Sequence, residues 1–156
     1  FWVDDASPQG TFRLYRALNR DVRLQELNLT PAQLEAWSSI QQSSALLASP
    51  FFRPEFTRAV ARARSGVEVA VVQQAGEPVL FFPYHRSGSV ARPVAAGYSD
   101  YQGVIAASGA QWSMEELLRA CRLSAWHFDH LLADQAELQP YHQVRSRSPI
   151  AAKRAG

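Results

Sequence analysis

The chain predicts a mixed-sheet α/β layer fold, and three patterns carry that expectation. Strand-like and helix-like segments interleave along its 156 residues, a hairpin pattern fills 67–84, and two segments open with helix-capping signals. A chain of this length buries roughly two-thirds of its unfolded surface, so a core forms without staples. The single cysteine, Cys121, excludes an internal disulfide framework and any multi-cysteine zinc site. No apolar run approaches the 18 or more residues that a membrane helix needs.

Residues 1–20 lack a clean period and read as a lead-in, with a short turn of helix expected around Arg13–Leu18. Val22 and Leu24 alternate with Arg23 and Gln25, which suggests a short strand. At Thr30-Pro-Ala-Gln33 the signal for a helix start is strong. Thr30 and Gln33 form a capping box, and Pro31 at the first helical position sacrifices no bond. Leu34, Trp37 and Ile40 follow at helical spacing, and Gln41-Gln-Ser-Ser44 ends the run. A second helix is expected from Pro54, with Glu55 near its positive end and a stripe of Phe56, Ala59, Val60 and Ala63.

Val67–Val72 reads as a buried strand, Ala75-Gly-Glu77 as a tight turn and Pro78–Tyr84 as the antiparallel partner. Pro83 suggests an edge or a bulge near the end of that partner. A turn at Arg86-Ser-Gly-Ser89 leads to a short strand at Val90–Ala95, a loop at Gly97–Gly103 and a strand at Val104-Ile105. Ser113-Met-Glu-Glu116 is a second capping box, opening a helix with Met114, Leu117, Leu118 and Cys121 on one face. Ala125–Leu132 is apolar enough for a strand, and Tyr141–Arg147 alternates as a last one. Of the aromatics, Phe51, Phe52, Phe56, Phe81, Phe82 and Trp126 fit a core better than a stacking platform.

The formal charge of +2 is unevenly spread. Arg145, Arg147, Lys153 and Arg154 follow the last acid, and removing them leaves 12 basic against 14 acidic residues. A body that is slightly acidic argues against a nucleic-acid partner. Neither dinucleotide nor P-loop glycine patterns occur. No secretory signal is present, so a cytoplasmic location is the expectation. With its first residue Phe1 and its only methionine Met114, the chain reads as a fragment or a processed product.

Three polar features invite chemistry. The loop Gly97-Tyr-Ser-Asp-Tyr-Gln-Gly103 reads equally as turn chemistry and as a site presenting hydrogen-bonding groups. Tyr101 stands where a nucleophile elbow requires glycine, which disfavours Ser99 as a nucleophile. His127 and His130 flank Phe128-Asp129; on a strand an offset of three puts them on opposite faces, which argues against a shared metal. His85 is a lone histidine at a strand end, a candidate general base.

Five strings in order resemble one family: Ser49-Pro-Phe-Phe-Arg-Pro-Glu-Phe, Val67-Glu-Val-Ala-Val-Val, Val79-Leu-Phe-Phe-Pro-Tyr-His-Arg, Ser99-Asp-Tyr-Gln-Gly-Val-Ile and Trp126-His-Phe-Asp-His-Leu. Together they resemble the N-terminal half of CelD-type, GNAT-like acetyltransferases associated with cellulose or exopolysaccharide synthesis, with FemAB transferases as distant kin. The resemblance implies a mixed sheet between helices, one unit of a tandem pair, spanning 21–148 with 149–156 beginning a continuation. It implies acyl transfer from acetyl-CoA, as co-substrate, to a small-molecule or sugar amine that attacks the thioester directly. The pyrophosphate-binding turn of such enzymes is missing here, so acetyl-CoA is expected mainly on a C-terminal unit, and this unit alone is expected to be inactive. Under this resemblance His85, Asp100 and Tyr101 are the catalytic candidates, and Gln102 and Asp129 the substrate-binding ones. No metal is expected. The rival reading is a degenerate, non-catalytic module that recognises a glycan or a partner. A FemAB-like use of aminoacyl-tRNA would require a basic groove, which the acidic body disfavours.

Overall fold

The computed structural model describes residues 4–7, 10–18 and 27–143, the first two segments as backbone strands. The strands are β1 (Asp4–Ser7), β2 (Gly10–Leu18), β3 (Val67–Gln74), β4 (Glu77–Ser87), β5 (Val90–Arg92), β6 (Ile105–Ala106) and β7 (Ala125–Trp126). The helices are α1 (Pro31–Ser43), α2 (Pro54–Ala63) and α3 (Met114–Ala120). They form the expected mixed α/β arrangement. The sheet runs β1-β2-β3-β4-β5-β7, antiparallel until the last pair, with β6 also on β4. Among the described strands only β5 and β7 pair in parallel, joined through a crossover that contains α3.

Both faces of β3 are covered, which explains why Val67–Val72 is buried throughout, with Glu68 as its one charged residue. Val67, Val69 and Val71 pack with Trp37, Ile40, Phe52 and Phe81 under α1 and α2. Ala70 and Val72 point the other way, to Phe82, Tyr84, Leu117, Cys121 and Trp126 beside α3. Thr30 caps α1 through the full reciprocal box, its hydroxyl taking the Gln33 amide at 3.1 Å while Gln33 Oε1 takes the Thr30 amide at 2.9 Å. The Trp37 indole, fully buried, donates to Phe52 O at 2.8 Å and so ties α1 to the turn before α2.

Several local expectations are corrected. The Arg13–Leu18 segment is strand, not helix: it lies within β2, antiparallel to β3 with Tyr15 opposite Val71. Cross-strand pairing overrides a local pattern that carried no period. In α2 the buried residues are Pro54, Thr57 and Ala61, with Phe56 and Val60 half-buried and Ala59 and Ala63 exposed, so the inward face is rotated from the expected stripe. Pro83 sits in the interior of β4, opposite Val69. It is tolerated there because the second side of β4 changes partner around it, from β6 at Leu80–Phe81 to β5 at His85–Ser87. The hydrogen bonds Arg86 N to Gly66 O and Ala107 N to Val79 O set the alternation, and they turn the Pro83 nitrogen toward that gap.

The strand expected over Ala125–Leu132 stops at Trp126, and β5 ends at Arg92. Tyr141 closes a 3-10 helix (Ala136–Tyr141) and does not open a strand. The strand expected at Val22–Leu24 and residues 144–147 lie outside the described residues. Among the described residues, no helix is long and apolar enough to cross a membrane.

Candidate functional site

The 99–104 loop and the 127–135 segment lie side by side, held by main-chain and glutamine contacts. Gln102 N donates to His130 O and Leu132 N to Gln102 O, both at 2.9 Å, forming an isolated parallel bridge. The Gln102 side chain, 2% exposed, completes the join. Its amide nitrogen donates to Asp129 Oδ1 at 2.6 Å and to Ser99 O at 3.2 Å. Its oxygen accepts from Asp129 N at 3.0 Å and from His130 N at 3.1 Å. Both donors and both acceptor positions are thereby engaged.

A second glutamine repeats the device one step along. Gln135 Nε2 donates to Val104 O at 2.6 Å, and its Oε1 accepts from Val104 N at 3.0 Å. This carboxamide lies against Gly103, where an added Cβ would stand 2.5 Å from Gln135 Oε1. A side chain at 103 would force the Gln135 carboxamide to move off its two bonds to Val104.

These contacts build one wall of a cleft of about 700 Å³. Its lining includes two acids, Asp100 and Asp129, and the aromatics Tyr101, Trp126, Phe128 and Tyr141. His127, His130 and His142 also contribute. Asp129 Oδ1 lies 3.2 Å from His130 Nδ1. The Gln102 hydrogen bond first, and the His130 contact second, hold the Asp129 carboxyl below its usual range. It stays ionised at neutral pH and is a weak proton acceptor there. Trp126 is 7% exposed, and its buried indole N–H has no hydrogen-bond partner among the described residues; neither has either buried ring nitrogen of His142. Tyr141, at the end of the 3-10 helix, donates to Glu115 at the start of α3, which lowers the pKa of Glu115 and raises that of the phenol.

Asp100, Tyr101 and Asp129 thus meet in one cleft, with Gln102 directly behind them. Gln102 is corrected from a substrate-binding to a positioning residue, because its hydrogen-bonding capacity is already filled. His85 does not join them. It ends up beside Gly66, with Nε2 2.9 Å from Ser65 O, and is absent from the cleft wall. The two histidines expected on opposite strand faces both line the cleft, because the strand ends at Trp126 before either is reached. Among the described residues no three His, Cys, Asp or Glu side chains gather as a metal site would need.

Sequence reasoning missed Trp126, Tyr141, His142 and Gln135 as parts of this region. Nothing in their spacing announces them, since the 3-10 turn that returns Tyr141 and His142 is a tertiary event. A buried polar cluster on the α3 side was also unforeseen. Tyr84 Oη donates to Glu68 Oε2 at 2.6 Å, and Arg86 Nε donates to Glu68 Oε1 at 2.8 Å. Arg86 Nη2 also donates to Cys121 O at 2.7 Å, so the guanidinium caps the C-terminal end of α3. Burial above all pushes the Tyr84 phenol well above its ordinary value, reinforced by Cys121 and Glu68.

The start of α3 does not suit a coenzyme A pyrophosphate. The turn before α3 has no close pair of glycines, Ser113 already accepts from Glu116 N, and Glu115 and Glu116 put two acids in the first turn. No family model, curated protein or solved structure matches the chain.

Proposed function

We propose that this chain is one unit of a GNAT-like acyltransferase and that its cleft receives the acceptor, an amine on a small molecule or sugar. The observation that carries the reading is the sheet. Its antiparallel run from β2 to β5 turns parallel only at β7, with α1 and α2 before β3 and α3 before β7. A mixed sheet between helices is what the five-string resemblance calls for, and the cleft opens beside the strand at which the pairing changes sense. Asp100, Tyr101 and Asp129 bind and orient the acceptor, while Gln102 holds Asp129 in place. The acyl-CoA grip belongs to a second unit of the same protein, in keeping with the acids at the start of α3.

Calorimetry with acetyl-CoA tests this directly, on the chain as given and on a version extended at its C-terminus. Binding by the extended protein alone, with transfer of labelled acetyl groups to an amine, is the expected result. Tight binding by the present chain, or an extended protein that neither binds nor transfers, overturns it.

The aromatic and acidic lining also favours a second reading, a non-catalytic module that recognises a glycan or a partner. Ligand binding without any transfer by the extended protein selects that alternative.

A further inference from the structure

We propose that His130 is the proton acceptor of the cleft, with Asp129 fixing its tautomer so that Nε2 carries the free lone pair. This deepens the acyl-transfer reading above and rests on it for the reaction served. The fixed tautomer is a property of this chain alone.

Among the described residues three histidines line the cleft, and one of them has a carboxylate beside its ring. Both ring nitrogens of His142 are buried, out of reach of anything in the cleft. His127 is exposed, but among the described residues no carboxylate pairs with its ring, so nothing sets its tautomer. His85 stands elsewhere, with Nε2 already against Ser65 O. Asp129 is itself a poor base, because its carboxyl is held below the usual range. His130 differs from each. Its side chain is half exposed, and Nδ1 lies 3.2 Å from Asp129 Oδ1. A carboxylate that close attracts an N–H and repels a lone pair, so the proton of the neutral ring belongs on Nδ1. Nε2, across the ring, then keeps its lone pair and has no partner among the described residues.

The support behind the pair comes from one buried side chain. Gln102 Nε2 donates to the same Asp129 oxygen at 2.6 Å, and Gln102 Oε1 accepts from the amides of Asp129 and His130. Gln102 N also donates to His130 O at 2.9 Å. A single glutamine thereby fixes the carboxylate and the backbone that carries the imidazole, and the carboxylate fixes the ring. A base oriented by a third group is the arrangement that proton transfer requires. Asp129 Oδ1 is committed to this task, which leaves Oδ2 for the acceptor.

The proton count closes around His130. The acceptor nitrogen forms its bond to the thioester carbonyl carbon and releases one proton to Nε2. The C–S bond then breaks, and that proton ends on the departing thiolate, so the imidazole is regenerated neutral.

The first test reads the tautomer on the chain as given, by long-range ¹H–¹⁵N NMR at about pH 9, above the ordinary histidine value. Each of the four imidazoles then shows one protonated and one bare nitrogen, and His130→Gln, an exposed substitution, identifies the ring in question. His130 should be mainly Nδ1–H. Asp129→Asn keeps an oxygen for Gln102, so the join survives, and should return His130 to the Nε2–H form that an unassisted imidazole prefers. A parent His130 that is mainly Nε2–H, or a tautomer indifferent to Asp129→Asn, overturns the proposal. The second test uses the extended protein with acetyl-CoA and an amine. There His130→Gln should lower kcat at least about 100-fold while KM for acetyl-CoA stays within about threefold. Transfer at the parent rate by that variant, or a larger loss from His127→Gln, overturns this proposal and leaves the acyltransferase reading standing. An extended protein that transfers nothing sinks that reading, whereas the tautomer, read without an acyl donor, decides His130 separately.

Discussion

Gln102 and Asp129 hold each other twice: the carboxamide nitrogen of Gln102 donates to Asp129 Oδ1 at 2.6 Å, and its oxygen accepts from Asp129 N at 3.0 Å. With the bond to His130 N and the bridge to Leu131, this pair joins a loop to a segment 27 residues further along the chain. The candidate cleft exists because that join exists.

Removing the join destabilises the protein. Gln102→Ala deletes four side-chain hydrogen bonds near the core, and a loss of about 2–4 kcal/mol is expected in urea unfolding. Gln102→Glu is isosteric but places a second carboxylate against Asp129. Its stability should be lowest near pH 7 and partly recover toward pH 5, where a protonated carboxyl again donates to Asp129. A variant as stable as the parent at both pH values contradicts this role.

Asp129 carries a pH signature. Its folded pKa lies below the unfolded value, so its contribution is fully present above the unfolded pKa and is lost as pH falls through the folded one. With a side chain 59% exposed, that contribution stays under about 1 kcal/mol. Carboxyl ¹³C titration should place Asp129 below ordinary aspartates, and Gln102→Ala should move it back up.

Gly103 and Gln135 are coupled through space. Gly103→Ala drives a methyl into the Gln135 carboxamide and should cost about 2 kcal/mol by dislodging its two bonds to Val104. In Gln135→Ala the obstruction is gone. The double variant should therefore be less destabilised than the two single effects added together, by at least 0.5 kcal/mol or so in a double-mutant cycle.

Tyr84 titrates in the opposite sense from Asp129. Its buried phenol has a raised folded pKa, so the folded protein holds that proton longer than the unfolded chain. Stability should fall as pH rises above about 10, the ordinary phenol value. In an alkaline absorbance titration, the Tyr84→Phe variant should lose only the component that coincides with unfolding. The same substitution removes a 2.6 Å bond to Glu68 and should destabilise by about 1–2 kcal/mol at neutral pH.

The β3–β4 turn leaves room for improvement. Ala75 and Gly76 both have positive φ, at 50° and 87°, the pattern of a two-residue type I′ hairpin. Alanine is strained there, and asparagine adopts that region more readily. Ala75→Asn should raise stability by about 0.5–1 kcal/mol in thermal or urea unfolding, with no change at the cleft.

Local chemistry determined a good part of this molecule from its residues alone. Thr30 and Gln33 set the start of α1, and Ser113 that of α3, because capping is settled within one turn of chain. The apolar run of β3 and the turn after it declared the central hairpin by period and backbone preference. The sequence also singled out Asp100, Tyr101 and Asp129, which the structure places on one cleft. Tertiary structure decided the rest. Arg13–Leu18 became strand because β3 offered it partners, and residues 127–132 left the strand path where Gln102 binds Asp129, His130 and Leu132 to the 99–104 loop. Whether His85 or His142 would stand at the cleft was invisible in sequence, because spacing along the chain says nothing of how a 3-10 turn folds back. Short-range bonding is encoded residue by residue; the meeting of distant side chains depends on every element packed between them.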